Sequence, residues 1–173
     1  MAKSFSQSVQ IDVSPDYIYE WLQDWNHVKE WMGPTLISIE VVSDHPADTP
    51  FCKGLRFREA RKMGRMNAKA IVEVIRHEVD ASGVFHHEAI FDDGCNRMIA
   101  EYQYSPCPQG STATFKMFNA PNKWWTKAMC VITGPMMIKM CSKTMADHLP
   151  RLKALVESDA PRVTSEGHIS DEH

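Results

Sequence analysis

Apolar and polar positions alternate over residues 4–13: Phe5, Gln7, Val9 and Ile11 share one face, and Ser6, Ser8, Gln10 and Asp12 the other. A period of two predicts a strand. Ser14-Pro15-Asp16 follows and has the chemistry of a helix start: a capping hydroxyl, a proline at the first helical position and an acid in the first turn. Ile18, Trp21, Leu22 and Trp25 then recur at helical spacing. Asp24 and Asn26 break that run, and Val28, Trp31 and Met32 carry a second short helical stretch.

The next hundred residues return to the shorter period. Strands are predicted over 36–43, 54–62, 67–79, 84–91, 96–104 and 111–119. Turn chemistry separates them: His45 to Pro50, Met63 to Met66, Asp80 to Gly83, Asp92-Asp93-Gly94 and Pro106 to Gly110. Strands joined by short Gly/Asp/Pro turns predict an antiparallel meander. After Pro121 the period lengthens again, with Trp125, Met129, Ile132, Met136, Met140, Met145, Leu149, Leu152 and Val156 at helical spacing. This pattern predicts one long helix with two weak points, Gly134-Pro135 and Pro150, because proline lacks the N–H and its ring clashes with the preceding turn.

Ser14, Pro15, Tyr19, Trp21, Asp24, Trp25 and Trp31 near the start, and Asp147, Leu149, Leu152 and Lys153 near the end, carry a resemblance to the polyketide-cyclase/START-like (SRPBCC) superfamily. It covers roughly residues 3–157. It implies an α+β helix-grip fold: a curved antiparallel sheet wrapped around a long C-terminal helix, two short helices after the first strand, and a cavity between sheet and helix. Fold-level resemblance specifies architecture better than function.

Size and charge narrow the choices. A chain of 173 residues fits one domain, expected over 1–157, with the polar, aperiodic 158–173 as a disordered tail. A net charge of −3 gives no basis for binding nucleic acid. No apolar run suggests a signal peptide, and the longest apolar stretch, 128–141, is too short to span a bilayer and contains Lys139. Five cysteines without a C-x-x-C pattern read as reduced thiols, hence a cytoplasmic protein.

Strand alternation directs Ala70, Val72 and Val74; Phe85, His87, Ala89 and Phe91; Met98, Ala100, Tyr102 and Tyr104; and Ala113, Phe115 and Met117 towards the interior. The expected walls of a ligand cavity are Trp21, Trp25, Val72, Val74, Phe85, His87, Ala89, Tyr102, Tyr104, Phe115 and Met117, with Trp125, Met129, Met136 and Met140 from the helix. Small strand residues leave space and methionines form an adaptable wall, which suits a small hydrophobic or amphipathic ligand. A packed core with methionine as filler is the plainer alternative.

His87, Tyr102 and Tyr104 are the candidates for polarising a ligand carbonyl or moving a proton; a histidine satisfied by a tyrosine hydroxyl is the simpler account. His86 and Glu88 fall on the outer face as a solvated pair. With no third ligand nearby, no metal is expected, and no cofactor. Glu59 and Arg61 share a face with Leu55 and Phe57; a cross-strand ion pair at a wet rim is favoured over a ligand-facing arginine. Lys53, Arg56, Arg58, Arg61, Lys62 and Arg65 cluster on one hairpin. One indole of Trp124-Trp125 belongs in the core and the other at a rim. No nucleophile motif or phosphate-binding loop is present.

Three functions therefore remain open. The first is binding of a small hydrophobic ligand. The second, implied by the resemblance, is a cyclase or dehydratase using the same cavity. The third is a co-chaperone-like interaction module carried by the basic hairpin. A homodimer formed through a sheet edge is a further possibility.

Overall fold

The computed structural model describes residues 4–46, 49–63 and 66–121, and those of 124–161 other than 126, 128–134, 137, 140, 141 and 144. Strand β1 (Ser4–Ile11) leads into helices α1 (Pro15–Trp21) and α2 (Trp25–Met32). Six further strands follow: β2 (Leu36–Val41), β3 (Arg56–Met63), β4 (Met66–Val79), β5 (Phe85–Asp92), β6 (Arg97–Cys107) and β7 (Gly110–Asn119). Helix α3 (His148–Asp159) closes the described chain. The strands form one antiparallel sheet in the order β1-β7-β6-β5-β4-β3-β2. The first strand thus returns beside the last, and α3 packs on β1 and α2.

Local chemistry accounts for the turns of the chain. The Ser14 hydroxyl accepts from the Tyr17 N–H at 3.2 Å and caps α1, with Pro15 in its first turn. Asp24 caps α2 through the Asn26 N–H at 2.7 Å. Gly33 ends α2 at φ 76°, ψ −170°, a region essentially reserved for glycine, and the guanidinium of Arg151 from α3 lies where a Cβ would project. Pro106 lies inside β6, two residues beyond the end that the sequence pattern predicts at Tyr104. It is tolerated there because β5 stops opposite Tyr104, so the proline interrupts no ladder on that side.

Two expectations about the C-terminal segment are corrected. The described residues of 124–145 are helical, but Ala146 and Asp147 form a turn, so α3 is a separate helix rather than the end of one long one. Pro150 is no weak point. It falls in the first turn of α3, where its missing N–H would have had no intrahelical partner. Helix α3 also continues through Asp159, beyond the boundary expected at 157. Gly134 lies outside the described residues.

The core lies between the inner face of the sheet and the helices. Val72, Val74, Phe85, Ala89, Ala100, Tyr104, Ala113, Phe115 and Met117 from the sheet meet Ile18, Trp21, Leu22, Val28 and Trp31 from α1 and α2, and Leu149, Leu152 and Val156 from α3. Among the described residues no helix is long and apolar enough to cross a membrane.

Candidate functional site

One irregularity decides which polar groups enter this core. β4 pairs Val74 with Ala89 but Arg76 with Glu88, so Ile75 is an extra residue in a β-bulge. The bulge reverses the alternation. Val72 and Val74 point inward before it, and His77 points inward after it, directly opposite His87. Simple alternation sends His77 to the outer face.

The bulge thereby adds His77 to the polar side chains buried on the inner side, which include Glu59, Arg61, His87, Tyr102 and His148. Glu59 and Arg61 form an ion pair along β3, 4% and 7% exposed, which corrects the expected wet-rim pair. The face they share with Leu55 and Phe57 is covered by α2 and the start of α3. The two N–H groups of Arg61 Nη1 are shared among three acceptors: the carbonyl of Met32 at 3.0 Å, Thr35 Oγ1 at 3.3 Å and His148 Nε2 at 3.3 Å. His148 Nδ1 lies 3.3 Å from the Tyr102 hydroxyl. A second chain runs from Gln23 Nε2 to His77 Nε2 at 3.0 Å, then from His77 Nδ1 to His87 Nδ1 at 2.9 Å.

Both chains end at one small pocket of about 20 Å³. Its polar lining is Arg61, His87, Tyr102 and His148, and its apolar lining includes Trp31, Phe51, Phe57, Val72, Ala89 and Met145. Trp31 is held over it by donating its indole N–H to the His148 carbonyl at 3.1 Å, with its ring edge-on to Tyr102. Burial keeps all three histidines neutral: it lowers His77 to about 4 and drives His87 well below the ordinary imidazole value, with the neighbouring His77 adding to the effect. His148 is lowered to about 3, first by burial and then by the charges of Arg61 and Arg151. Burial raises the Tyr102 phenol, so it keeps its proton.

Of the residues expected to line a cavity, Val72, His87, Ala89 and Tyr102 meet at this pocket. Val74, Phe85, Tyr104, Phe115 and Met117 are buried on the same face but packed away from it. Tyr104 stacks on Phe85 at 5.1 Å, and its hydroxyl has no hydrogen-bond partner among the described residues, so it does not join His87 and Tyr102. Trp21 stacks on His27 and donates to Asp159 at 2.9 Å, while Trp25 donates to the Thr49 carbonyl at 2.8 Å; neither lines the pocket.

The helical wall needs correction. Met136 is 65% exposed and Trp125 38%, whereas Ile138 and Met145 are buried. The expected stripe steps five residues from Met140 to Met145, which hides a change of phase; two positions, Met136 to Ile138, turn a helix by about 200°. Trp124 is 82% exposed, so neither indole of the pair is buried. Met129 and Met140 lie outside the described residues. On the outer face, His86 bonds Asp80 at 3.0 Å and Glu88 bonds Arg76 at 3.5 Å, each with a partner other than the one expected.

His77, His148, Trp31, Phe51 and Met145 belong to the site without having been expected there. Trp31 and Met145 stand in the helical patterns and His148 beside the closing Asp147/Leu149/Leu152/Lys153 pattern, whereas His77 and Phe51 carry no sequence signal.

The sheet order, the two capped helices after β1 and the C-terminal helix define a helix-grip protein with a polar-edged interior pocket. The chain belongs to the polyketide cyclase / dehydrase and lipid transport family, whose profile matches residues 2–157. Its fold is similar to TTHA0849 from Thermus thermophilus (13% identity, TM-score 0.66, covering 92% of this chain and 100% of that one). It is likewise similar to a Thalictrum norcoclaurine synthase point mutant in complex with a transition-state analogue (13% identity, TM-score 0.60, 92% and 96% covered). A STAR-related lipid transfer protein fragment from Xanthomonas axonopodis aligns at 15% identity and TM-score 0.59, with 89% and 85% covered. At these identities the likeness is one of fold. No curated protein matches the sequence.

Proposed function

We propose that this protein binds a small hydrophobic or amphipathic molecule in the interior pocket between the sheet and the helices. The supporting observation is the composition of that pocket: a mostly aromatic and aliphatic wall on which a few hydrogen-bonded, buried polar groups converge. Lipid transport and cyclisation both stand in the family's description, and the aligned Xanthomonas protein is a lipid transfer protein. At about 20 Å³ the pocket has room for one water-sized sphere, so entry of a ligand requires side chains to move aside. Met32 and Met145, both lining it, have the unbranched, multi-rotamer side chains suited to that movement.

A cyclase- or dehydratase-type activity is the second reading. It is favoured by Tyr102 lying directly across the β5–β6 ladder from the neutral His87. The interaction-module reading keeps an exposed basic surface at Lys53, Arg56, Arg58 and Lys62 but not at Arg61. Of the basic hairpin, Arg61 is buried, Arg58 pairs with Glu40 at 2.8 Å and Arg56 pairs with Glu73 at 3.9 Å.

Ala89→Leu tests the binding site. The added carbons fill the pocket at a folding cost of about 1–3 kcal/mol. Native mass spectrometry of the purified protein, followed by solvent extraction, is expected to find an apolar ligand on the wild type and none on the variant, with cooperative urea unfolding retained. Equal loading of both proteins would place the ligand elsewhere.

A further inference from the structure

The protons on the two hydrogen-bonded chains are determined by groups that have only one way to bond. Arginine donates and never accepts, so His148 Nε2, 3.3 Å from Arg61 Nη1, is an acceptor. A neutral His148 then carries its proton on Nδ1 and donates it to the Tyr102 oxygen. The hydroxyl proton of Tyr102 is left to point elsewhere, and it has no acceptor among the described residues. On the other chain, the Gln23 amide nitrogen is identified by the Tyr19 carbonyl at 3.2 Å, which only an N–H can satisfy. Its second hydrogen goes to His77 Nε2, so His77 is protonated on Nδ1 and donates to His87 Nδ1. The remaining proton of a neutral His87 is therefore on Nε2, on a ring that lines the pocket.

We propose that the pocket is a two-donor site, in which Tyr102 O–H and His87 Nε2–H together select a ligand bearing an oxyanion or a strongly accepting oxygen on an apolar frame. Gln23 and His77 lie behind His87 and hold it in the donating state, while Arg61 and His148, which also border the pocket, do the same for Tyr102. Glu59 balances the charge of Arg61, which leaves the guanidinium's donor bonds to fix His148 while adding no net charge to the pocket wall. The assignment rests on the binding reading above and narrows it to a ligand chemistry.

The test compares naphthalene with 2-naphthol, whose ionised form absorbs at longer wavelength. Burial alone raises the pKa of a bound phenol, whereas two donors aimed at its oxygen lower it. The expected result is that both probes bind, that 2-naphthol binds at least tenfold tighter above its free pKa, and that its bound pKa falls by about one unit or more. Tyr102→Phe and His87→Phe each return it towards the free value. Because either variant can disturb packing, the wild-type imidazole ¹⁵N spectrum is a second readout, with protonated Nε2 expected for His87 and protonated Nδ1 for His148. Naphthalene and 2-naphthol bound equally, a raised bound pKa, or a His87 protonated on Nδ1 would overturn the two-donor assignment and leave the binding reading standing. Failure of both probes to bind would overturn both.

Discussion

Arg61 concentrates more of the site's chemistry than any other residue. Its guanidinium reaches the end of α2 through the Met32 carbonyl, the chain before β2 through Thr35, and the start of α3 through His148, and it is neutralised by Glu59. Removing one member of a buried ion pair leaves the other as an uncompensated charge, which costs about 3–5 kcal/mol. Glu59→Leu is therefore expected to lower stability by that amount in urea unfolding. The double variant Glu59→Leu/Arg61→Met should recover most of the loss, since a buried pair replaced by apolar groups of similar volume is often close to neutral. If the double variant is as unstable as the single one, the bonds of Arg61 to Met32, Thr35 and His148 matter more to stability than the compensation of charge. A strand pattern of alternating residues places Glu59 and Arg61 on the same face as Leu55 and Phe57, which is where they are. What it does not supply is the cover. Whether that face is wet or dry depends on α2 and α3, whose contact with β3 is made only in the folded chain.

At the scale of elements, the strands and first two helices are legible because their signals are local. A period of two, a Ser-Pro helix start and short Gly/Asp turns each act over a few residues. The parts that mislead depend on phase. One extra residue, Ile75, turns His77 inward, and no composition rule marks a bulge at an isoleucine between Val74 and Arg76. Likewise the helical stripe runs on in sequence across Ala146–Asp147, where the chain turns and the phase restarts at α3. The junction of α2 and α3 offers a direct check on how closely these elements approach. Gly33→Ala places a Cβ at φ 76°, ψ −170°, where the Arg151 guanidinium also lies. Backbone strain of this kind costs about 1–3 kcal/mol, so the variant's melting temperature is expected to fall. Combining it with Arg151→Ala should relieve the side-chain clash but keep the backbone term. Full recovery in the double variant would mean that the glycine is required for space and not for its dihedral angles.

For the molecule as a whole, the groups that build the pocket also set its response to acid. His77, His87 and His148 are neutral in the folded protein because burial disfavours their charged forms, with His77 lowered to about 4, His148 to about 3 and His87 well below its ordinary value. In the unfolded chain each regains an ordinary value near 6.5. Between about pH 6.5 and the folded values, the unfolded state therefore binds more protons than the native state, and stability rises with pH. Above pH 6.5 the histidines are neutral in both states and contribute no slope. Below it each subtracts about 1.4 kcal/mol per pH unit, so the three together subtract about 4 kcal/mol per unit until the native histidines protonate. Urea unfolding is expected to give a plateau above neutrality and a steep loss below pH 6. His77→Gln, which keeps a side-chain donor facing His87, should reduce the slope between pH 6 and 5 by about 1.4 kcal/mol per unit. Near pH 4 His77 takes up its second proton, can no longer accept from Gln23 and places a charge beside His87. Stability that held level down to pH 5 would mean that the three rings are hydrated and charged there, and that the pocket does not keep its donors by excluding water.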